Sequence, residues 1–233
     1  MSEPALPPSV QAFLRRECKL LESQTSNCEL LRQFHHDLCE ANRSTNLTRI
    51  TDWLDFCVRH VADSLAVLRV LPELADASAS TLTIADVGCG AGFPLFPLLW
   101  VQPRLVIVGM ESRSRKVQFV ETEIARLGFA NARCLEGRAR ELARRDECRE
   151  QFDIVLLRAV AGTADAVKEC RQLVRGCGVI ACYKTPEAVR RELPETAREA
   201  AKYGFTIECS DTFELPENSG TRQFILCRRV KTN

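Results

Sequence analysis

The stretch Asp86-Val87-Gly88-Cys89-Gly90-Ala91-Gly92-Phe93 decides the fold of this chain. It follows an apolar run at 82–87 that has the composition of a buried strand, and it precedes a helical segment. Glycine permits positive backbone φ angles and close approach of the backbone to a ligand. The start of a helix favours polar or negative groups. The stretch therefore predicts a strand–turn–helix unit that binds a ligand, with an ordinary connection as the alternative.

The spacing of these glycines excludes two common nucleotide-binding turns. The dinucleotide fingerprint G-x-G-x-x-G needs a third glycine where this chain has Phe93. A P-loop needs G-K-[ST] after the glycines, and no such tripeptide follows. The pattern D-x-G-x-G-x-G instead resembles the first motif of S-adenosylmethionine (SAM)-dependent methyltransferases. That resemblance implies SAM as the cofactor, held by Asp86, Gly88, Gly90, Gly92 and Phe93.

From residue 82 onward, short β-rich runs alternate with helical runs, which is typical of a doubly wound, mostly parallel sheet. Strands are predicted at 82–87, 105–110, 132–135, 152–157, 179–183, 205–210 and 224–228. The connection 211–221 is too short for a parallel crossover, so the last two strands should pair antiparallel. We therefore expect an α/β, Rossmann-like methyltransferase fold with seven strands, one of them antiparallel.

The chain before this sheet has helical rather than alternating periodicity. Apolar residues recur at helical spacing in three runs between Ser9 and Leu71. The small, polar stretch 76–81 is the best boundary between the two patterns. We expect residues 1–76 to form an N-terminal helical segment packed on the core, and residues 77–233 to form the SAM-dependent methyltransferase domain.

Composition restricts the class of protein further. The 233 residues include 32 Lys+Arg and 31 Asp+Glu, so any nucleic-acid site must be a local patch rather than bulk charge. No pair of the 12 cysteines has C-x-x-C spacing, and we expect no metal site. The apolar stretch 93–101 is too short to cross a bilayer. These features predict a cytoplasmic protein with free thiols and no membrane partner.

Two further turns extend the expected SAM site. Glu111 closes the second strand, where an acidic residue in such folds accepts hydrogen bonds from the ribose hydroxyls. The third strand leads into a turn that faces the adenine in a methyltransferase sheet, with backbone groups of Ala139 and Arg140 at the adenine edge. The alternatives are a surface carboxylate at Glu111 and a solvated, charged helix start at the second turn.

The end of the fourth strand bears on the chemistry. Enzymes that methylate exocyclic amines carry an Asn/Asp-Pro-Pro-aromatic turn here, and this chain has none. It also lacks the Pro-Cys pair typical of enzymes that methylate pyrimidine carbon. Arg158 stands at this position and suits the SAM carboxylate, an RNA phosphate or a base acceptor. A nucleophile that needs no deprotonation, such as guanine N7, fits this site, and a structural ion pair is the alternative role for Arg158.

Several short motifs resemble ribosomal RNA small-subunit methyltransferase G, also called glucose-inhibited division protein B. The resemblance covers about 30–229. It rests on Asn46-Leu47-Thr48, Arg59-His60-x-x-Asp63-Ser64, the glycine turn followed by Phe-Pro, Gly137-Arg138-Ala139, Leu157-Arg158-Ala159, Tyr183-Lys184 and Arg222. The chain departs from the family pattern at Thr45, Leu95, Arg140 and Thr185. It is identified as a divergent member.

The resemblance implies methyl transfer from SAM to N7 of a guanine in 16S rRNA, with naked rRNA or the small ribosomal subunit as partner. It assigns SAM contacts to Gly88, Phe93, Ala139, Arg140 and Arg158, with Glu111 on the ribose. From the end of the fourth strand we expect Arg158 to be the catalytic residue through positioning, with no general base. Substrate contacts are expected at Asn46, His60, Asp63, Ser64, Lys184 and Arg222. For the face shared by His60, Asp63 and Ser64, a buried tether between helix and sheet is the alternative.

Basic residues cluster around the N-L-T loop and after the second and third strands, at the edge where such sheets bind ligands. They are Arg43, Arg49, Arg113, Arg115, Lys116, Arg138, Arg140, Arg144 and Arg145. Such a rim would contact phosphates and leave base selection to the pocket. Two other functions remain open: a SAM-dependent methyltransferase of a small molecule or protein, and a non-catalytic RNA-binding factor with this fold.

Overall fold

A computed structural model gives the arrangement of residues 5–25, 28–75, 82–159 and 162–230. Within these ranges the strands are β1 (Thr83–Val87), β2 (Val106–Glu111), β3 (Ala132–Glu136), β4 (Phe152–Leu157), β5 (Val174–Lys184), β6 (Phe205–Cys209), β7 (Phe213–Glu214) and β8 (Thr221–Arg229). The order across the main sheet is β3-β2-β1-β4-β5-β8-β6. The pairs among the first five strands are parallel, and β8 is antiparallel to both β5 and β6. The predicted fold class and the antiparallel pairing of the last two long strands are confirmed.

The strand prediction was wrong in two places. β5 begins at Val174 rather than 179, because its pairing with β4 is interrupted by a bulge near Phe152 and glycines mask the strand pattern there. The two-residue strand β7 lies inside the predicted connection 211–221 and pairs with β8. It adds an eighth strand beside the main sheet.

The helices are α1 (Pro8–Arg16), α2 (Glu22–Thr25), α3 (Glu29–Thr45), α4 (Trp53–Asp55), α5 (Asp63–Leu65), α6 (Leu95–Val101), α7 (Ser114–Leu127), α8 (Ala139–Leu142), α9 (Thr163–Cys170) and α10 (Pro186–Lys202). Three 3₁₀ turns are Ala66–Arg69, Pro72–Ala75 and Pro216–Asn218. Between α4 and α5 the chain forms a π-helix at Phe56–Ala62. The helical periodicity predicted this region as helix but did not distinguish π from α geometry.

Apolar residues cover both faces of the sheet. Along β1, Ile84 belongs to one buried cluster and Ala85 to another, because successive side chains point to opposite faces. The Ile84 cluster also contains Leu31 and Phe34 of α3, so the N-terminal helices share a core with the sheet. The predicted boundary at 76–81 lies outside the described residues, and the division into 1–76 and 77–233 stays a prediction. Within the described ranges, no helix is long and apolar enough to cross a membrane.

Candidate active site

The carboxyl ends of β1, β2 and β4 meet at a cleft of about 360 Å³. This is the edge at which open parallel sheets bind ligands. Leu47 and Thr48, together with His60 of the π-helix, form its other side. The cleft is lined by Leu47, Thr48, His60, Gly88, Cys89, Gly90, Ala91, Phe93, Glu111, Lys116, Arg158 and Ala159.

Different constraints require glycine at the three positions of the turn. Gly88 and Gly90 have φ angles of 73° and 60°, which side chains rarely adopt. A Cβ on Gly90 would meet nothing closer than 3.9 Å, so the protein itself leaves the space above it open. A Cβ on Gly92 would lie 2.3 Å from the ring of Phe96. Gly92 is thus required by packing, whereas Gly90 faces the cleft.

Asp86 lies beneath the turn and is absent from the cleft wall. Its Oδ2 accepts a hydrogen bond from the Leu95 amide at 3.0 Å, at the start of α6. Burial raises the pKa of this carboxyl to about 7, against the lowering effects of the Leu95 amide and the Arg158 charge. Asp86 therefore supports the turn from below, and its role in cofactor binding stays a prediction.

Glu111 lies at the predicted strand end, and its ribose role stays a prediction. It is buried at the end of β2 and lines the cleft. One carboxylate oxygen accepts from the Gly90 amide at 3.2 Å and the other from the Arg113 amide at 3.0 Å. Its carboxylate is thereby fixed beside the glycine turn. Oε1 also accepts from the Ser112 hydroxyl at 3.4 Å, and the second lone pair of Oε2 remains available to a donor in the cleft.

His60 forms part of the cleft wall and is a poor base. Its ring stacks on Phe93 with centroids 4.0 Å apart, and its Nε2 pairs with the Thr48 hydroxyl at 3.0 Å. Burial and the nearby Arg158 charge lower the pKa of His60 to about 3. This arrangement favours the tether interpretation, because His60 joins the N-L-T loop to the glycine turn.

Arg158, which lines the cleft, takes part in an ion-pair network with Asp63 and Arg222. Its Nη2 lies 2.9 Å and its Nε 3.1 Å from Oδ2 of Asp63, whose Oδ1 accepts from Nε of Arg222 at 2.8 Å. Asp63 is only 7% exposed. Arg158 also donates to the Ser64 hydroxyl at 3.4 Å and to the Arg59 carbonyl. The three charged groups sum to +1, so the network leaves net positive charge beside the cleft.

This network uses most of the hydrogen-bonding capacity of Arg158. A guanidinium carries five N–H donors. Hydrogen bonds to Asp63, Ser64 and Arg59 use three of them, and the second hydrogen of Nη1 has no acceptor among the described residues. Arg158 is therefore both a member of a structural ion pair and a cleft residue whose Nη1 retains a free N–H donor.

The structure does not bring every predicted substrate residue into the cleft. Lys184 is 8% exposed and lies 2.8 Å from Glu192, which also accepts from the amide and hydroxyl of Thr163. Burial alone would raise the pKa of Glu192, but these hydrogen bonds lower it to about 2. Lys184 thus joins β5 to α10 and the start of α9. Asn46 is an exposed, left-handed C-cap of α3.

The predicted adenine turn also lies outside the cleft lining. Ala139 is buried at the start of α8, and Arg140 beside it is exposed. Of the remaining basic residues, Lys116 lines the cleft, and Arg43 and Arg145 pair with neighbouring glutamates.

Sequence reasoning gave Tyr183 and Glu192 no role. The Tyr183 hydroxyl donates to the Ser64 carbonyl at 2.7 Å and so fixes the end of α5. The motif Tyr183-Lys184 drew attention to Tyr183, but nothing in the sequence marks Glu192. Among the residues that the structure describes, no group of three His, Cys, Asp or Glu side chains is placed to hold a metal ion.

A family model described as GidB, rRNA small subunit methyltransferase G, matches residues 27–216. The chain belongs to the rRNA small subunit methyltransferase G family. The family member of Lachnoclostridium phytofermentans (strain ATCC 700394 / DSM 18823 / ISDg) is 35% identical over 209 residues, which are 88% of this chain and 84% of that protein. The one from Lactobacillus helveticus (strain DPC 4571) is 34% identical over 194 residues, 83% and 79% of the two chains.

Solved structures share the fold of this methyltransferase G family member. Cofactor-bound Rv0187 from MTB matches with a TM-score of 0.63 at 16% identity and covers 99% of this chain and 100% of that chain. TYW2 of P. horikoshii in complex with MeSAdo matches with a TM-score of 0.54 at 15% identity, over 69% and 61% of the two chains. At such identities the likeness establishes the fold alone.

Proposed function

We propose that this protein transfers the methyl group of SAM to N7 of a guanine in small-subunit rRNA and acts in the cytoplasm, where that RNA is its substrate. The observation that carries the proposal is the cleft in which the Gly88–Gly90 turn, Glu111 and Arg158 meet. Membership of the methyltransferase G family supports the same reaction.

The residues of the cleft fit SAM. The space above Gly90 is open, so a ligand can contact the backbone of the turn there. The Glu111 carboxylate, already fixed by two backbone amides, offers acceptors for ribose hydroxyls. The net positive charge of the Arg158–Asp63–Arg222 network suits a carboxylate. When bound, SAM supplies an electrophilic methyl group on a sulfonium.

The protein's own groups argue against a reaction that needs strong proton abstraction. The pKa of His60 is lowered to about 3, mainly by burial, so its imidazole is a weak base. Cys89 lies buried against Cys134, and their contact together with burial raises the pKa of the Cys89 thiol well above its usual range. Guanine N7 already carries an in-plane lone pair and needs no base. Catalysis then rests on positioning.

Arg158 is the residue we assign to that positioning. Asp63 and Ser64 restrict its guanidinium to one orientation, and the remaining Nη1 hydrogen can serve an acceptor in the cleft. N7 and O6 are neighbouring acceptors of the guanine edge, so a donor on O6 would direct N7 toward the methyl group. The alternative acceptor is the carboxylate of SAM, and a SAM titration of Arg158 variants separates the two.

Basic residues near the cleft, exposed except for the half-buried Lys116, provide the proposed RNA surface. Arg113 and Lys116 follow β2, and Arg138, Arg140 and Arg144 follow β3, at the same sheet edge as the cleft. Among the described residues none of these five forms an ion pair within 4.0 Å. Phosphate contacts at this rim would orient the RNA without reading its sequence.

The test is methyl transfer from radiolabelled SAM to purified 16S rRNA and to small subunits, with 23S rRNA and total cell protein as competing acceptors. We expect label in 16S rRNA, with binding that weakens steeply as salt rises. Gly90→Val should abolish transfer by filling the space above the turn. Label in protein or in small molecules, or SAM binding without any transfer, would contradict the proposal.

A further inference from the structure

The active-site cleft contains a lysine, Lys116, that the described residues leave unpaired. It lies in the first turn of α7, is half-buried and lines the cleft. A Cβ on Gly90 would lie 3.9 Å from its Nζ, so the ammonium group lies beside the glycine turn. Among the described residues no acceptor forms a hydrogen bond or an ion pair with this ammonium. Lys116 therefore adds a positive charge beside the proposed SAM site.

The carboxylate of Glu111 does not neutralise Lys116 by direct contact. Its Oε2 accepts from the Gly90 amide at 3.2 Å, and its Oε1 accepts from the Arg113 amide at 3.0 Å. No ion pair within 4.0 Å joins Glu111 to Lys116. Both charged groups therefore face the cleft separately.

The charges around the cleft leave a net positive charge. Lys116 contributes one positive charge, Glu111 one negative charge, and the ion-pair network of Arg158 one further positive charge. Burial lowers the pKa of His60 to about 3, so its imidazole is neutral. Asp86 lies outside the lining, and burial raises its pKa to about 7, so it is partly protonated near neutral pH.

The aromatic ring of the cleft offers little surface to a cationic ligand. An aromatic face attracts cations, but Phe93 is only 7% exposed. Its ring stacks on His60 with centroids 4.0 Å apart, and the guanidinium carbon of Arg158 lies 6.0 Å from its centroid. The ring therefore does little to offset the positive charge of the walls.

SAM and its product differ in charge. SAM has a net positive charge at neutral pH because of its sulfonium, whereas S-adenosylhomocysteine (SAH) has a neutral thioether and no net charge. In a cleft of about 360 Å³ a ligand lies close to all of the lining charges. On the proposed function, in which SAM binds in this cleft, we infer that Lys116 makes the RNA-free protein prefer SAH to SAM, and that bound RNA reduces this preference.

The effect of RNA follows from the same charges. Phosphates that contact Lys116 and the neighbouring basic residues supply the negative charge that the cleft lacks, and so favour the cationic cofactor. Coupling between two binding sites is reciprocal. A cationic cofactor must therefore strengthen RNA binding, relative to SAH, by the same factor.

Calorimetry of the full chain with three ligands measures the preference. SAM and sinefungin are cationic at the reacting centre, the second through an amine in place of the sulfonium, whereas SAH is neutral. For unit charges roughly 8 Å apart near a protein surface, Coulomb's law gives an effect of about five- to thirtyfold on a binding constant. We expect SAM and sinefungin to bind about fivefold or more weakly than SAH. Equal affinities would overturn the inference, whereas a failure of all three ligands to bind would contradict the proposed function itself.

Two variants separate the charge in the cleft from the total charge of the protein. Arg115 precedes Lys116 on α7, but it is exposed and outside the cleft lining. Lys116→Met should reduce the preference for SAH by about threefold or more, whereas Arg115→Met should preserve it. If Lys116 held the carboxylate that both ligands share, Lys116→Met would weaken SAM and SAH equally. That result, or equal effects of the two variants, would overturn the inference.

RNA binding gives a readout that does not depend on methyl transfer. Filter binding of purified 16S rRNA is measured at saturating sinefungin or SAH, neither of which carries a transferable methyl group. We expect the RNA to bind about threefold or more tightly with sinefungin than with SAH, and this difference to shrink in Lys116→Met. RNA binding that does not distinguish the two ligands, while the RNA-free protein still prefers SAH, would refute the coupling.

Discussion

Replacing Asp63 by Asn isolates the network that fixes Arg158. The change keeps the shape of the side chain but removes the negative charge shared by Arg158 and Arg222. One amide oxygen can still accept from one arginine, while the new amide donor faces the other. Breaking a buried ion pair by removing one partner costs about 3–5 kcal/mol. Arg222 is 23% exposed and can turn partly toward water, so we expect a loss of roughly 2–4 kcal/mol.

The assay is urea denaturation combined with methylation kinetics. Asp55→Asn is the matched control, because Asp55 pairs with Arg59 at 3.1 Å on an exposed helix face where such pairs contribute about 0.2–1 kcal/mol. We also expect turnover of Asp63→Asn to fall about 10- to 100-fold even where the protein is fully folded, since Arg158 loses its fixed orientation.

Comparing the SAM affinity with the methylation rate of Asp63→Asn then shows which ligand group Arg158 holds. If it holds the methionine carboxylate, Asp63→Asn should weaken SAM binding. If it holds the guanine, SAM binding should stay unchanged while the rate falls. The reasoning would be refuted if Asp63→Asn matched Asp55→Asn in both stability and turnover.

Three further predictions concern the turn, the cofactor and pH. Gly92→Ala should destabilise the fold by roughly 2–4 kcal/mol, because the new Cβ clashes with Phe96 and the φ angle is positive. Gly128→Ala also has a positive φ but open space around it, so it should lose only about 1 kcal/mol in urea denaturation. Equal losses of stability in the two variants would contradict the packing argument. Glu111→Gln should weaken SAM binding in calorimetry by about 1.5–3 kcal/mol, the range for a hydrogen bond to a charged group, and an unchanged Kd would remove Glu111 from the ribose role. The pKa of Glu123 is raised, mainly by burial, to about 7, so its stabilising protonated form is lost as pH rises through that value. Relative to wild type, Glu123→Gln should therefore gain roughly 1–3 kcal/mol of stability from pH 5 to pH 8, and a constant difference would be inconsistent with the shift.

The parts of the fold that local sequence determines were predicted correctly. The β1 run and the glycine turn carry their own periodicity and backbone requirements, and Glu111 falls at the predicted strand end. The parts set by distant partners were not. β7 is two residues long and exists through its pairing with β8. The π-helix at Phe56–Ala62 has the same apolar spacing as an α-helix over one or two turns.

In the site, too, local sequence marks some residues, whereas distant partners determine the contacts of others. Arg158 was recognised from its place after β4, but its partner Asp63 lies 95 residues earlier, and no local pattern joins the two. Lys184 lies at a strand end, as Glu111 does, but it is outside the cleft lining and pairs with the half-buried Glu192 at 2.8 Å. Asp86 and Gly92 belong to the ligand motif by sequence, but the structure uses them for capping and packing.

The most direct test of the proposed reaction is nucleoside mass spectrometry of 16S rRNA from cells with and without this protein, and of the same RNA after treatment with purified protein and labelled SAM. We predict that 7-methylguanosine at one position disappears from cells that lack the protein, and that the purified protein restores it with the label. A label found in 5-methylcytidine, N6-methyladenosine or a ribose methyl group, with 7-methylguanosine unchanged, would contradict the account.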